Sequence, residues 1–353
     1  MTAPNNLYGS PPGRQPSIVA LGGGHGLYAT LSAARQLSDD ITAVVTVADD
    51  GGSSGRLRSE LDLVPPGDLR MALAALADHD EHAELWRDLV QHRFRGTGAL
   101  AGHAVGNLIL AGLTEVLGDI ISALEELGRV LGVRGRVLPM ATIPLQIEAD
   151  VVGLEEDPRI NRVIRGQVAV ATTPGRVRRV RLLPGEPAAC REAVAAINNA
   201  DLVILGPGSW FSSVIPHVLV PEQRDALIAT KARRALVLNL GPQAGETAGF
   251  SAERHLHVLS QHAPSFRVDQ VIVDANTVPP GSERAHLCRA AAQLGADVRY
   301  AAVGVPGTAK HDIFKLAAVL GDVLHGDVSG ISAGSVQTDS VVGIDRKESA
   351  PWQ

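Results

Sequence analysis

The feature that most constrains the fold is a short apolar run, a glycine-rich turn and a helical segment, followed by a second apolar run. Ser17–Leu21 reads SIVAL, GGGHG follows it, and LYATLSAARQL then has the apolar spacing of a helix. Ile41–Ala48, ITAVVTVA, is the second run. This order predicts a βαβ unit. Because neither run alternates with polar residues, the unit should belong to a parallel sheet that is covered on both faces.

The same order returns in the C-terminal half of the chain. Four more apolar runs are predicted strands separated by helical segments: Asp201–Leu205, Ala235–Leu240, Asp269–Asp274 and Asp297–Val303. Residues 69–130 are helical in pattern, whereas residues 136–183 read as short strands. We therefore predict an α/β, Rossmann-like, doubly wound fold whose mainly parallel sheet carries a helical insertion and a small β-rich insertion. We predict a flexible N-terminus over residues 1–16, one domain over residues 17–324 and a flexible C-terminal tail over residues 325–353.

Composition limits the classes of function. Net charge is −6 and aromatic residues make up 3% of the chain, which argues against a general nucleic-acid-binding protein. The N-terminal residues are polar and proline-rich, and no run of about 18 apolar residues occurs, so neither a signal peptide nor a membrane span is expected. The two cysteines lack metal-ligand spacing, and a cytoplasmic location is expected.

The first glycine-rich turn is a candidate phosphate site. It follows a strand and opens a helix, so its backbone N–H groups and the helix dipole suit an anion. It fits neither G-x-G-x-x-G nor the Walker A pattern, and a tight turn without a ligand is the alternative interpretation. The candidate residues are Gly22, Gly23, Gly24, His25 and Gly26.

A second glycine-rich turn follows the second strand and is preceded by two carboxylates. Backbone N–H groups, hydroxyls and a guanidinium there could bind a phosphate or a sugar. The carboxylates could accept hydrogen bonds from diol hydroxyls or hold a divalent cation, with Mg²⁺ as the candidate metal and Asp50 as its candidate ligand. A turn or cap role is the alternative for Asp49. The candidate residues are Asp49, Asp50, Gly51, Gly52, Ser53, Ser54, Gly55 and Arg56.

Three further motifs stand where helices begin. PPGDLR has Asp68 in its first turn and Arg70 projecting from the helix, and GHAVGN offers the Asn107 amide as a ligand contact. GPGSWFSS again follows a strand and resembles an anion-binding turn. Its candidate residues are Gly206, Pro207, Gly208 and Ser209. Patterns typical of serine hydrolases, zinc peptidases and zinc fingers are missing.

The motifs GGGHG, ADDGGSSGRLR, PPGDLR, GHAVGN and LGPGSWFSS occur in this order and together resemble the YvcK family, sometimes called gluconeogenesis factors. The resemblance runs from about residue 18 to about residue 321 and extends more distantly to CofD, the 2-phospho-L-lactate transferase. It implies a Rossmann-like core that binds UDP-N-acetylglucosamine or a related UDP-sugar. It also implies influence on cell shape, peptidoglycan synthesis and growth on gluconeogenic carbon sources.

The resemblance assigns further residues. Phe250 stands where an aromatic is expected against the uracil, and Lys310 and His311 where cations are expected to contact the UDP moiety. Relatives are expected to have an arginine near Lys310, and a small hydroxyl residue at the position of His25. No catalytic residue and no required cofactor are implied. The expected partners are a cell-wall regulatory protein, a second copy of the chain and a Ser/Thr kinase. The candidate acceptors are Ser335, Thr338 and Ser340, with Thr338 favoured, and an unmodified linker is the alternative interpretation.

Three functions compete at this point. The first is a nucleotide-sugar sensor that acts through a protein partner. The second is a metal-dependent, CofD-like transferase that moves a phospholactyl-type group from a nucleoside diphosphate donor, with Asp49 and Asp50 near the metal. The third is a dinucleotide-binding oxidoreductase, which the absence of G-x-G-x-x-G spacing weakens.

Overall fold

The computed structural model describes residues 14–157, 159–243 and 246–327, and Ser335, Thr338 and Ser340 lie outside these ranges. The described residues form ten strands: β1 (Ile18–Gly22), β2 (Ile41–Val45), β3 (Arg136–Pro139), β4 (Gln146–Val152), β5 (Asn161–Arg165), β6 (Arg176–Leu183), β7 (Leu202–Leu205), β8 (Arg233–Val237), β9 (Gln270–Asp274) and β10 (Asp297–Ala301). They also form twelve α-helices: α1 (Gly24–Ala34), α2 (Gly52–Leu61), α3 (Gly67–Leu76), α4 (Glu81–Gln91), α5 (Val105–Leu117), α6 (Ile120–Val130), α7 (Gln167–Thr172), α8 (Arg191–Asn199), α9 (Pro221–Ala229), α10 (Ala252–His262), α11 (Ser282–Gln293) and α12 (Ile313–His325).

Seven strands form one parallel sheet in the order β10-β9-β8-β7-β1-β2-β3. The chain builds outward from β1 in one direction and, after the insertions, from β7 in the other. The order therefore reverses between β1 and β7, and in open α/β sheets such a reversal leaves a ligand-binding crevice at the carboxyl ends of the strands. The predicted α/β, doubly wound fold is confirmed.

The core explains why these runs became central strands. Every residue of β1, β7 and β9 is buried, as expected for strands covered on both faces. Alanine, valine, leucine and isoleucine supply most of the buried apolar side chains. Small side chains on α1 and α3 allow those helices to pack closely against each other and against the sheet.

The two insertions follow the predicted order with one shift. Helices α3 to α6 form the helical insertion, and β4, β5 and β6 form a separate antiparallel sheet in the order β5-β4-β6. Arg136–Pro139, which the sequence prediction grouped with the β-rich insertion, instead pairs with β2 as the edge strand of the main sheet. Its residues 137–139 are all buried, and that apolar character favours the main sheet over an exposed hairpin.

The last described helix extends slightly beyond the predicted domain boundary. α12 continues to His325, and Gly326 caps it in the left-handed conformation. In the part of the chain that the structure describes, no helix combines the length and the apolar character needed to cross a membrane.

Candidate functional site

Three glycine-rich turns lie at the carboxyl edge of the main sheet. The first follows β1, the second follows β2 and the third follows β7, which are three adjacent strands of the sheet. The first and third turns border the reversal of strand order, and the second lies one strand further along. The first and third turns are in direct contact: a Cβ atom on Gly26 would lie 2.2 Å from the Pro207 carbonyl oxygen. Only glycine permits this approach. We call the region that the three turns border the switch-point crevice.

The first turn has free backbone donors. Gly24 begins α1 with φ +56°, and the next two N–H groups, of His25 and Gly26, have no acceptor among the described residues. The His25 side chain is exposed. On the opposite side of the turn, the buried His217 ring contacts the Gly22 carbonyl oxygen at 3.3 Å through Nε2. Burial lowers the pKa of His217 to about 4, so a neutral imidazole supports the turn.

The second turn repeats this geometry. Gly52 begins α2 with φ +51°, and the N–H groups of Gly52, Ser53 and Ser54 have no acceptor among the described residues. Its Gly51 N–H donates to Asp49 Oδ1 at 2.9 Å, which fixes the turn to the end of β2. Two parallel strands thus each present a helix N-terminus with unpaired donors at the same sheet edge. That arrangement suits the two phosphates of a diphosphate.

The two neighbouring carboxylates after β2 have different surroundings. Asp50 Oδ1 accepts the Val168 N–H at 2.9 Å, and its Oδ2 lies 2.2 Å from the Cβ position of Gly166. Asp50 therefore fastens α7 and the β-rich insertion to the sheet. Asp49 instead lies beside Gly67 at the start of α3, and burial raises its pKa.

Asp68 was predicted from the sequence only as an acidic residue in the first turn of a helix. Its Oδ2 lies 2.4 Å from the Cβ position of Gly23, so it stands against the first turn. Burial, followed by the nearby Asp49 charge, raises the pKa of Asp68 to about 7, while the Gly24 N–H and Arg70 oppose the shift. Two carboxylates with raised pKa values therefore face one crevice, a pattern typical of functional sites.

Two arginines stand close to these carboxylates. The positive charge of Arg58 opposes the rise in the pKa of Asp49, and that of Arg70 opposes the rise in the pKa of Asp68. Each carries a buried Nη1 without a hydrogen-bond partner. Arg56, the arginine selected from the sequence, is directed elsewhere and donates to the carbonyl oxygens of Ala99 and Ala101. Unpaired buried guanidinium donors are unusual, and an anionic ligand would satisfy them.

Asn107 lies in a buried network beneath the second turn. Its Oδ1 accepts from Arg70 Nε at 2.8 Å, and its Nδ2 donates to Ser53 Oγ at 3.0 Å. The same hydroxyl lies 3.0 Å from His103 Nδ1. Asn107 is 1% exposed, so in this structure its amide orients Arg70 and Ser53 and does not reach the open side of the crevice.

We expect Asn107→Ala to lower the free energy of unfolding by about 2–4 kcal/mol, because it leaves the buried Arg70 guanidinium and the Ser53 hydroxyl without a partner. Urea denaturation followed by circular dichroism measures the change. Asn198→Ala, at an exposed position on α8, is the control and should change stability by less than about 0.5 kcal/mol. Equal effects of the two substitutions would contradict the assigned role of the network.

The third turn has its donors satisfied within the protein. Asn239 accepts from the Gly208 N–H at 2.9 Å and donates to its carbonyl oxygen at 2.8 Å. The 5% exposed Glu246 accepts the N–H groups of Phe211 and Ser212, at 2.7 and 3.1 Å, and the Ser209 hydroxyl. Burial raises the pKa of Glu246, and these donors oppose the shift. Asn239 and Glu246 therefore satisfy the donors of the third turn, which forms a wall of the crevice.

A cavity of about 170 Å³ opens beside this wall and includes Asn239 and Phe250 in its lining. Val273 and Val278 give it an apolar side. Phe250 is 8% exposed and packs edge to face on Phe211, with ring centroids 6.0 Å apart. A flat apolar ring of the size of a nucleobase suits such a space.

The two predicted cationic residues, Lys310 and His311, lie in the segment between β10 and α12. Lys310 is exposed. His311 is half-buried, its pKa is lowered by burial, and its Nε2 has no hydrogen-bond partner. The Leu238 carbonyl and the Asp274 carboxylate oppose that shift, which places His311 beside the end of β8, next to the cavity that Leu238 also lines.

The crevice offers two acidic side chains to a divalent cation. Among the described residues, no three histidine, cysteine or acidic side chains come together as a ready metal cage. Asp49 and Asp68 nevertheless fit the way in which Mg²⁺ is commonly held, through one or two carboxylates, water and substrate phosphates. Asp50, the metal ligand predicted from the sequence, has one carboxylate oxygen bonded to Val168.

Comparisons with known proteins identify the family of the chain. The sequence profile described as 2-phospho-L-lactate transferase CofD matches residues 18–310. The gluconeogenesis factor of Bacillus subtilis (strain 168) is 38% identical over 324 residues, which cover 88% of this chain and 99% of that protein. A curated protein of Mycobacterium tuberculosis (strain ATCC 25618 / H37Rv) is 67% identical over 328 residues, covering 93% of this chain and 96% of that one.

Solved structures give the same result for the fold. A crystal structure of a UPF0052 family member from Bacillus halodurans, at 2.60 Å resolution, superposes with a TM-score of 0.77 and 34% sequence identity. The match covers 87% of this chain and 99% of that chain.

Proposed function

The chain belongs to the CofD family, in its gluconeogenesis factor (YvcK, UPF0052) branch, and from that premise we propose that it binds a nucleotide sugar of the UDP-N-acetylglucosamine type. Through a protein partner it would then regulate cell shape, peptidoglycan synthesis and growth on gluconeogenic carbon sources. The observation that carries the proposal is the position of three glycine turns on the adjacent strands β7, β1 and β2, around the reversal of strand order, where two turns hold unpaired N–H groups.

The polar groups of the crevice match the parts of such a ligand. The free N–H groups of the first and second turns would bind the diphosphate, with the unpaired Nη1 groups of Arg58 and Arg70 adding charge-assisted bonds. Asp49 and Asp68 would accept hydrogen bonds from sugar hydroxyls or hold Mg²⁺ against the phosphates. The cavity beside Phe250 would take the base.

Titration calorimetry with UDP-N-acetylglucosamine, with and without Mg²⁺, tests this proposal. We expect one site per chain with micromolar or tighter affinity, because two helix N-termini and two guanidinium groups act on one diphosphate. N-acetylglucosamine without the nucleotide should not bind measurably. Absence of heat with the full ligand under both conditions, from folded protein, would refute nucleotide-sugar binding.

A second candidate function is favoured by one observation, the carboxylate pair of Asp49 and Asp68 with raised pKa values. Such a pair, with a divalent cation, could polarise a diphosphate in a CofD-like transfer of a phospholactyl-type group. The test is incubation with a deazaflavin acceptor, the activated phospho-acid donor and Mg²⁺. Formation of the transfer product, lost in Asp68→Asn, would favour transfer; no product from protein that binds UDP-N-acetylglucosamine would favour the sensor.

A further inference from the structure

Strand β6 presents arginines to solvent beside the first turn of α10. Its sequence RVRRVRLL buries Val177 and Val180, so Arg176 and Arg178 are exposed on the other side. The register of β6 shifts opposite Asp150 and Val151 of β4, which leaves Arg178 without a partner residue. Arg254 of α10 lies close enough to both for their charges to lower its pKa. We call Arg176, Arg178 and Arg254 the arginine cluster.

The charge of the cluster is not compensated by an ion pair, in contrast to the charges of Arg165 and Arg181 in the same small sheet. Arg165 and Arg181 pair with Glu148, at 2.7 and 2.9 Å, and Arg181 also pairs with Asp150 at 2.6 Å. No residue of the cluster forms an ion pair within the described ranges. Burial and the two neighbouring arginines lower the pKa of Arg254, and its buried Nε has no acceptor.

The cluster also connects to the switch-point crevice. The Arg254 guanidinium lies 4.4 Å from the centroid of the Phe250 ring. Phe250 packs on Phe211, whose N–H is bound by Glu246 directly after the third turn. Phe250 and Phe211 therefore connect the Arg254 guanidinium to a wall of the ligand site.

We propose that the arginine cluster is the docking surface for an acidic segment of a protein partner, and that occupancy of the crevice alters docking through Phe250 and Phe211. The inference rests on the proposed function and adds the surface and the partner's chemistry to it. Planar guanidiniums bind carboxylates in a bidentate manner, so three unpaired arginines fit closely spaced Asp or Glu side chains. Nucleic acid is disfavoured because Phe250, the aromatic ring in contact with the cluster, is only 8% exposed and has one face covered by Arg254, so it offers no stacking platform on this surface.

The test uses the full chain and a fluorescein-labelled octapeptide of glutamate, with binding measured by fluorescence anisotropy at 50 mM salt. We expect saturable binding that weakens about tenfold or more in Arg176→Glu/Arg178→Glu, because reversed charges repel the peptide. Arg95→Glu/Arg289→Glu, an equal change of charge at two exposed positions elsewhere, is the matched control and should retain the affinity within about twofold. Calorimetry with UDP-N-acetylglucosamine should give the same affinity for all three proteins.

Several outcomes would overturn the inference while leaving nucleotide-sugar binding untouched. If the two double variants lost peptide affinity equally, binding would depend on net charge and not on the arginine cluster. Tighter binding of an octanucleotide of dT than of the peptide would assign the surface to nucleic acid. An unchanged peptide affinity at saturating UDP-N-acetylglucosamine would remove the coupling to the crevice. Loss of UDP-N-acetylglucosamine binding in the wild type would instead count against the proposed function.

Discussion

Gly26→Ala is expected to abolish measurable binding of UDP-N-acetylglucosamine and to lower the free energy of unfolding by about 3 kcal/mol. The added methyl group would lie 2.2 Å from the Pro207 carbonyl oxygen and 2.8 Å from the Gly208 Cα atom. These are backbone atoms that cannot rotate away, so the first and third turns must separate. The N–H groups of His25 and Gly26 would then lose their alignment on the phosphate, and calorimetry and thermal unfolding measure the two effects.

Gly112→Ala is the matched control for this substitution. Gly112 lies on the exposed side of α5, and a Cβ atom there meets nothing within 4 Å. Alanine should raise stability by about 0.5–1 kcal/mol through helix propensity and should leave ligand affinity unchanged. If Gly26→Ala bound the nucleotide sugar as tightly as the control does, contact between the two turns would have no role in the site.

Much of the fold could be predicted because its information is local. Unbroken apolar runs, such as those of β1 and β7, require a sheet covered on both faces, and glycine turns after them require crossover helices. The edge strand Arg136–Pro139 could not be placed in the same way. Its four residues carry too short a pattern, and only pairing with β2 shows that it belongs to the main sheet.

The candidate site was less predictable because side-chain direction depends on tertiary packing. Asp49 and Asp50 are adjacent and looked like one acidic pair, yet Asp50 bonds to Val168, more than a hundred positions away in the chain. Asp68, in a different motif, became a further electrostatic neighbour of Asp49, beside Asp50. The sequence offered one usable signal: an acid in the first turn of a helix that starts at the glycine of PPG, close in the chain to a glycine turn of the phosphate-binding kind.

The third turn shows a related limit. A strand, a glycine turn and a helical start are typical of an anion site, but here Asn239 and Glu246 occupy the donors. Both residues come from the segment after β8, and nothing in the sequence GPGSWFSS predicts that they bind this turn. The sequence pattern predicts which turns at the ends of the strands will have backbone N–H groups without a partner in the helix. It cannot tell whether the protein's own carboxylate or a ligand will satisfy them.

Asp68→Asn is expected to stabilise the ligand-free protein in a pH-dependent way. The carboxyl group has an ordinary pKa of 3.8 and a folded-state pKa of about 7. Between these values the unfolded chain is ionised while the folded chain keeps its proton, so the wild-type protein loses stability as pH rises from about 4 to 7. The asparagine variant should match the wild type near pH 4 and exceed it by up to about 4 kcal/mol at pH 8.

Binding of the Mg²⁺ complex of UDP-N-acetylglucosamine should instead strengthen as the pH rises through about 7, because Mg²⁺ binds the ionised form of Asp68. At pH 7 the wild-type protein should release about half a proton on binding, measured by calorimetry in two buffers of different ionisation enthalpy. Asp68→Asn should release none and bind at least about 100-fold more weakly, since a neutral amide replaces a charged ligand group. Asp88→Asn, on the exposed face of α4, removes the same charge far from the turns and should change neither quantity. Equal pH profiles of stability for Asp68→Asn and the wild type would show that this carboxylate is solvated like any surface acid, and the electrostatic basis of the crevice would fail with it.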